Sequence, residues 1–527
     1  MDPDPYVDEA SDRGHLPGLV GVVGAGTMGS GIAALAALAG HPVRLVDTAP
    51  QQVDEGLRRA REHVARAGRR GQIEASAAAT AAERIHPGGS LAALADAVLV
   101  VEAISEDLTA KQELLAHLDV LVRRDGLIAT NTSSLPVGEV TARMDGTERG
   151  LGLHFFNPAP TMPLVEVVAA ARTDDRTLTQ AVELMQGWGK TPVLCADSPG
   201  FIVNRVTRPL YGEAHRLLEE RAVDPATLDA LIRAGAGLPM GPVALGDLVG
   251  QDVSFAVTRS IWEQTFHDAR YTPSPLQQDW VRRGLLGRKA GRSVLGDRAA
   301  AHTARVRPAP MVVDEDGGLG LLQALVERAR RAGVAVRAEP GAAGGPDAPG
   351  VVDYPERGLL LPSGGRLMVT DGETATAHAL DEPVVVLDWA VEPDTVEHIA
   401  LATSAGCPDA VLDEALGFVQ AAGVAASVVD DLPGLVVART VAMIINEAYD
   451  VAARGVADEK DIDRAMRLGT GYPWGPFSLT GRVGAHRVVG VLDALHAWYP
   501  TGRYRVTPYL RRAALHEESA LLSPWPG

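Results

Sequence analysis

Leu19–Asp47 reads LVGVVGAGTMGSGIAALAALAGHPVRLVD. Leu19, Val20, Val22 and Val23 form a short apolar run, Gly24, Gly26 and Gly29 follow at GxGxxG spacing, and Val43 to Val46 lead into Asp47. The pattern predicts strand, tight loop, a helix from about Thr27 to Ala39, and a second strand. Each glycine has its own physical duty: the first permits the turn, the second lets a pyrophosphate approach the backbone, and the third brings helix close to sheet. The helix start then offers unpaired N–H groups to phosphate oxygens. Gly24, Ala25, Gly26, Thr27, Met28 and Gly29 are therefore candidate cofactor contacts. A carboxylate at Asp47 can accept hydrogen bonds from both hydroxyls of an adenosine ribose and repels a 2'-phosphate, which favours NAD over NADP. A glycine loop in an ordinary core turn would lack the flanking strands and the acid at this separation.

Working outward, the 527-residue chain exceeds what one hydrophobic core sustains and predicts two to four domains. A formal net charge of -18 argues against nucleic acid or an anionic membrane surface as partner. Cys195 and Cys407 are the two cysteines, too few for a disulfide framework or a clustered cysteine metal site, and no metal is expected. No apolar run is long enough to cross a bilayer, and the acidic start Met1 to Gly14 does not read as a leader, so a soluble cytoplasmic protein is expected.

Downstream, Ala97 to Val101 reads as a buried strand followed by Glu102 and Glu106, with Lys111 on a helix running to about Leu121. Ile128 to Thr130 form the next strand, ending in Asn131, Thr132, Ser133 and Ser134, where an open parallel sheet places its ligands. For Glu106 and Lys111, an ion pair on a solvated helix face competes with ligand contact. Two further apolar strands each carry one polar residue: His154 within Leu151 to Phe156, and Glu166 within Leu164 to Val168. Both are costly to bury unless they satisfy each other, and the pair would then be a base with a fixed tautomer. A satisfied core histidine is the alternative; the neighbouring nucleotide fold favours catalysis. Asn204 sits where Pro199 and Gly200 give way to a helix, either as a cap or as an amide at a domain seam.

GAGTMGSGIA from Gly24, VEAISEDLTAK from Val101, NTSSL from Asn131, HFFNPAPTMPLVEVV from His154, PGFIVNR from Pro199 and MGPVALGDLVG from Met240 follow in one order. Together they resemble the 3-hydroxyacyl-CoA dehydrogenase family, over most of residues 19 to 295. The resemblance implies a Rossmann domain followed by a helical domain, NAD as cofactor, and oxidation of a coenzyme A thioester to its 3-oxo form. It implies that His154 takes the hydroxyl proton, Glu166 orients it, Ser133 and Asn204 bind substrate oxygens, and Glu106 and Lys111 lie near the nicotinamide. Gly287 to Asp297, GRKAGRSVLGD, lacks the aromatic residue common there in the family. A basic run including Arg58 is a candidate for coenzyme A phosphate or a solvated face. The stretch Asn204 to Tyr211, with GLPMGP from Gly237 and GQDV from Gly250, resembles members linked to aromatic catabolism through 3-hydroxyadipyl-CoA. A second carboxylate on the acyl chain would need a basic partner, for which Arg208 is the candidate. A dehydrogenase of small free hydroxy acids and a noncatalytic NAD-binding protein are the competing possibilities.

Sliding the chain against itself by 234 positions brings Asp197, Pro199, Gly200, Val203 and Arg205 onto Asp431, Pro433, Gly434, Val437 and Arg439, and Glu213 onto Glu447. Gly241, Pro242 and Gly250 fall on Gly475, Pro476 and Gly484 at the same shift, while His154 meets Asp388, Glu166 meets Ala400 and Asn204 meets Ala438. One shift over so long a run predicts an internal duplicate without catalytic residues. Met311 to Asp314, the helical stretch to Arg331 and the strand Val334 to Val336 resemble the opening of a nucleotide domain without its glycine loop. The expected organisation is a flexible N-terminus over 1–18, a Rossmann domain over 19–197, an all-α domain over 198–297, a degenerate Rossmann-like domain over 306–430 and a second all-α domain over 431–520. The duplicate is expected to pair with the first copy inside the chain, with a homodimer as a further possibility.

Overall fold

The computed structural model describes residues 18–296, 312–316, 320–338 and 358–522. Residues 1–17, expected to be flexible, and Met311 and Asp297 lie outside the described residues.

Eight strands form the first sheet: β1 (Leu19–Val23), β2 (Val43–Val46), β3 (Ile85–Pro87), β4 (Ala97–Glu102), β5 (Leu127–Thr130), β6 (Gly150–Phe155), β7 (Leu164–Ala169) and β8 (Thr191–Ala196), in the order β3-β2-β1-β4-β5-β6-β7-β8. All neighbours run parallel except β6 and β7. Strands covered on both faces need continuous apolar runs, as β1 and β4 have. The helix Thr27–Leu38 is buried from Gly29 to Ala37, and its Gly, Ser and Ala residues let it lie close to the sheet. Val20, Ile32, Val101, Leu153 and Val167 belong to the core on that side. The order reverses at β1, where β2 lies on one side and β4 on the other, so the glycine loop opens at the carboxyl end of the sheet's switch point.

The chain divides into two units: one contains residues up to Val203 together with Gly455–Thr470, and the other contains Asn204–Arg454 together with the residues from Gly471 onward. In the first unit the helix Glu459–Thr470 lies on β7 and β8. The Ala196 N–H donates to the Val456 carbonyl at 2.8 Å, and Gly469 has room for no side chain, since an added Cβ would meet Leu164 at 2.7 Å and Val203 at 3.0 Å.

The second unit holds a seven-stranded sheet: β9 (Val312–Asp316), β10 (Ala335–Ala338), β11 (Gly358–Leu360), β12 (Arg366–Val369), β13 (Val384–Leu387), β14 (His398–Thr403) and β15 (Ala425–Val428), in the order β10-β9-β11-β12-β13-β14-β15. β13 and β14 are antiparallel and β14 and β15 parallel, as β6, β7 and β8 are, and β14 is β7 displaced by 234 residues. The architecture is thus a Rossmann domain, an all-α region, a degenerate α/β region and a second all-α region.

Reciprocal pairing holds the second unit together. The helix Pro225–Gly235 lies on β14, the Asp430 N–H donates to the Ala222 carbonyl at 3.3 Å, and a Cβ on Gly235 would meet Val437 at 2.7 Å. These are the contacts of Glu459–Thr470 in the first unit, each residue displaced by 234. Between the helices Val203–Glu219 and Val437–Ala453, Arg205 pairs with Glu447 at 2.7 Å and Arg439 with Glu213 at 2.6 Å. Arg270 supports Glu447 and Arg503 supports Glu213, at 3.3 and 2.8 Å. Burial pushes the Glu213 carboxyl up, but Arg503 and Arg439 outweigh it and bring it down to about 2. Residue i of one copy meets j of the other, and j meets i, which is the signature of a two-fold interface.

Candidate active site

His154 on β6 and Glu166 on β7 are directly opposite in the antiparallel ladder. His154 Nδ1 lies 2.6 Å from Glu166 Oε2, and both residues are buried. The other carboxylate oxygen, Oε1, accepts the N–H groups of Ile202 and Val203 at 3.1 and 2.9 Å, at the start of the helix Val203–Glu219. Glu166 is therefore fixed from both sides, and its hold on Nδ1 leaves Nε2 as the ring atom able to accept a proton. Phe156 and Phe201 flank the imidazole with ring centroids at 4.7 and 5.6 Å. Phe201 adopts φ +48, a left-handed conformation uncommon for an aromatic residue, so its place beside the ring is imposed by the surrounding fold. Sequence reasoning found the His–Glu pair and missed the two rings; Phe156 and Phe201 are apolar residues among apolar residues, with no signal of their own.

The glycine loop has the form of a phosphate cradle. Gly24 has φ +104, and a Cβ there would come within 2.4 Å of the Ala103 carbonyl oxygen. A Cβ on Gly29 would collide with the Gly24 carbonyl oxygen, whereas one on Gly26 would meet nothing within 4 Å. That open space lies at the start of the helix Thr27–Leu38, whose N-cap makes no side-chain hydrogen bond and whose first turn carries no acid. Asp47 Oδ2 accepts the Ala25 N–H at 2.8 Å, Oδ1 accepts the Ala49 N–H at 3.2 Å, and the residue is half-buried, so the carboxylate shapes the loop from the end of the second strand. These features fit a dinucleotide. Arg59, a member of the basic run that includes Arg58, donates to the Ala25 carbonyl at 2.7 Å. Arg58 is largely exposed and pairs with Glu55 at 3.8 Å.

Glu106 and Lys111 organise the loop that carries Ser133. Glu106 Oε1 accepts Thr132 Oγ1 at 2.6 Å and the N–H groups of Ser133 and Ser134 at 2.9 and 3.0 Å. Burial pushes Glu106 up, yet Lys111 and these donors together hold it below its ordinary value. Lys111 is buried on the helix Leu108–Leu121, 2.7 Å from Glu102 and 3.3 Å from Glu106. Asn131 Oδ1 accepts the Phe155 N–H at 2.9 Å, tying the end of β5 to the residue beside His154. In the second unit, the Asn204 carbonyl accepts Arg208 Nε at 2.7 Å.

Residues 19–198 match the 3-hydroxyacyl-CoA dehydrogenase NAD-binding domain, 200–296 and 434–520 both match the C-terminal domain of that family, and 367–433 match the 3-hydroxybutyryl-CoA dehydrogenase reduced Rossmann-fold domain. The 3-hydroxyadipyl-CoA dehydrogenase of Escherichia coli K12 is 39% identical over 500 residues, 94% of this chain and 98% of that protein. The chain belongs to the 3-hydroxyacyl-CoA dehydrogenase family. A crystal structure of 3-hydroxybutyryl-CoA dehydrogenase from Escherichia coli K12 superposes with a TM-score of 0.83 at 37% identity, covering 96% of this chain and 99% of that one. The crystal structure of (S)-3-hydroxybutyryl-CoA dehydrogenase from Ralstonia eutropha, at 35% identity and TM-score 0.51, covers 54% of this chain and 99% of its own length, so that relative is about half as long. The reaction of the family, NAD-dependent oxidation of a 3-hydroxyacyl-CoA to the 3-oxoacyl-CoA, is the activity of this chain. No helix among the described residues is long and apolar enough to cross a membrane.

Proposed function

We propose that the substrate is a short (S)-3-hydroxyacyl-CoA carrying a second carboxylate, as in 3-hydroxyadipyl-CoA, and that His154 is the base. The carrying observation is the 2.6 Å contact of His154 Nδ1 with a carboxylate whose other oxygen is already committed to two backbone N–H groups. NAD, when bound, supplies the hydride acceptor for C3. His154 Nε2 takes the hydroxyl proton, and the adjacent Glu166 carboxylate stabilises the imidazolium that forms. Ser133 and Asn204 hydrogen-bond the substrate oxygens as charge shifts onto them. Gly24 to Gly29, with Ala25, Thr27 and Met28, receive the pyrophosphate, and Asp47 receives the adenosine ribose. Glu106 holds the Ser133 loop in register and Lys111 holds Glu106, so both act on the nicotinamide side through that loop.

The second carboxylate is supported by the 39% identity to a 3-hydroxyadipyl-CoA dehydrogenase along nearly the whole chain, and by the stretch Asn204 to Tyr211. On this reading the enzyme works in the cytoplasm, in the degradation of aromatic acids as coenzyme A thioesters. His154→Gln is expected to lower kcat by roughly 1,000-fold while leaving NAD affinity within about twofold, because only proton transfer is removed. Steady-state NADH formation and NAD titration check this. Near-normal turnover in the variant, or NADH formed from a free 3-hydroxy acid and not from the thioester, would overturn the proposal.

A further inference from the structure

Eight lysines and arginines among the described residues are buried, and six of them have a carboxylate: Lys111, Arg149, Arg205, Arg270, Arg439 and Arg503. A seventh, Lys190, places its ammonium on the carbonyls of Ala159 and Met162, both at 2.6 Å. The eighth is Arg208, 7% exposed, on the helix Val203–Glu219. Its Nε donates to the Asn204 carbonyl at 2.7 Å, and its Nη1 reaches Thr258 Oγ1 at 3.2 Å and the Ser254 carbonyl at 3.4 Å. Tyr211 lies under the guanidinium, 4.9 Å from Cζ to the ring centroid. No acceptor among the described residues meets Nη2, and none of the partners is an anion. Burial therefore pulls Arg208 below the usual guanidinium range, whereas Glu447, Tyr271 and Asp450 outweigh burial at Arg205, and Tyr504, Glu213 and Glu220 outweigh it at Arg439, and raise both. Beside it the Ser254 hydroxyl, on a residue 2% exposed, has no hydrogen-bond partner.

The internal repeat provides a control for packing. The helices Val203–Glu219 and Gln251–Gln264 recur as Val437–Ala453 and Ala485–Trp498, displaced by 234 residues at both ends. At that shift Arg208, Tyr211, Ser254 and Thr258 fall on Ala442, Ile445, Val488 and Leu492, all fully buried. The helix pair thus packs with an apolar centre in the copy where Ala438 stands for Asn204. The polar centre occurs only in the copy that carries Asn204. A buried cation without a counter-ion is expensive unless a bound anion completes it.

We propose that Arg208, assisted by the Ser254 hydroxyl, binds the distal carboxylate of the acyl chain and is the residue that selects a dicarboxylic acyl group. The proposal rests on the substrate reading above, in which Asn204 holds an oxygen at the reacting end. Arg208 lies one helical turn further along, about 6 Å at the helical rise, a spacing matched by a few methylenes. A guanidinium held through Nε and Nη1, with Nη2 left to donate, suits a carboxylate, and a methyl terminus would leave it uncompensated.

The test compares 3-hydroxyadipyl-CoA with 3-hydroxyhexanoyl-CoA, which have six acyl carbons each and differ in carboxylate against methyl. The wild type should prefer the former in kcat/KM by more than about tenfold, and Arg208→Gln should lose roughly 100-fold more on it than on the hexanoyl ester. Arg208→Lys should retain part of the preference. Ser254→Val, which copies the repeat at Val488, should reduce the preference by roughly tenfold and gives a readout should the glutamine variant not fold. Inhibition of the wild type by adipyl-CoA and hexanoyl-CoA reads the same discrimination without any variant. A wild type without preference overturns the dicarboxylate substrate and the Arg208 assignment together. A wild-type preference that survives in the variants overturns the Arg208 assignment alone. Equal losses on both esters would place the anion on coenzyme A, or the role in packing, and also overturn it.

Discussion

Asp47 ties two backbone segments together with one carboxylate: Oδ2 accepts the Ala25 N–H at 2.8 Å and Oδ1 accepts the Ala49 N–H at 3.2 Å. Asp47→Ala should therefore weaken NAD binding by about tenfold or more, roughly 1.4 kcal/mol, and narrow the gap to NADP because the charge that repels a 2'-phosphate is gone. Titration with both nucleotides checks it, and unchanged affinities would mean that Asp47 does not face the ribose. This residue was legible because its partners are local: a glycine loop, a helix and a strand end within thirty residues of sequence fix where the acid sits. His154 and Glu166 were legible for a different reason, since two polar residues in adjacent apolar strands can be buried cheaply only together. Arg59 on the Ala25 carbonyl and Glu106 under Ser133 were not, because a surface-helix arginine and a loop glutamate look alike whether they fold back or face water.

At the level of elements, β6 and β7 recur as β13 and β14, and the cross-strand pair His154–Glu166 becomes Asp388 opposite Ala400. At the 234-residue shift the pair is absent from the repeat; the structure shows what took over its structural half. Glu166 anchors the helix start through Ile202 and Val203, and Asp388 anchors the repeated helix start through Val436, Val437 and Ala438, with a fourth bond from the Trp389 N–H. The carboxylate has moved one strand over, into the position of the histidine. That exchange was invisible in the alignment, since Asp for His and Ala for Glu look like two independent losses. Asp388→Asn should destabilise this unit by about 3 kcal/mol, because an amide has one acceptor oxygen where four buried N–H groups converge. Burial pushes the Asp388 carboxyl up to about 6 in spite of those donors. A folded value raised above the unfolded one means that the stability it contributes is complete below the ordinary carboxyl range and is lost as the pH rises through about 6. Denaturant melts between pH 4 and 7 should show that slope in the wild type and lose it in the asparagine variant; a variant as stable as wild type with the same slope would deny Asp388 this role.

On the scale of the whole chain, the repeat supplies one copy of a two-fold pair to the other, and the relative from Ralstonia eutropha, covered over 99% of its length by 54% of this chain, shows that the family includes members about half as long. A chain ending at Asp297 would lose Glu447 and Arg439, leaving Arg205 and Glu213 buried without their partners, at a cost of about 3–5 kcal/mol for each broken pair. It would also lose the helix Glu459–Thr470 from β7 and β8, baring Leu164 and Val203 where Gly469 packs. A second copy of the truncated chain can repair both losses. Arg205 stands where Arg439 does and Glu213 where Glu447 does, so Arg205 of each copy would meet Glu213 of the other, and Pro225–Gly235 would replace Glu459–Thr470 on the neighbouring sheet. The shift of 234 was readable from sequence, but this exchange of helices was not, because periodicity reveals that a helix has a buried face and not which strand covers it. The truncated chain is therefore expected to sediment as a dimer with residual NADH-forming activity, while the full chain needs no such partner for these contacts. Glu213→Gln in the truncated chain should weaken the dimer sharply, since the symmetry removes the acceptor from both pairs at once. Sedimentation velocity across a concentration series checks both statements. A truncated chain that is monomeric, stable and fully active would mean that the second copy does not stand in for a dimer partner.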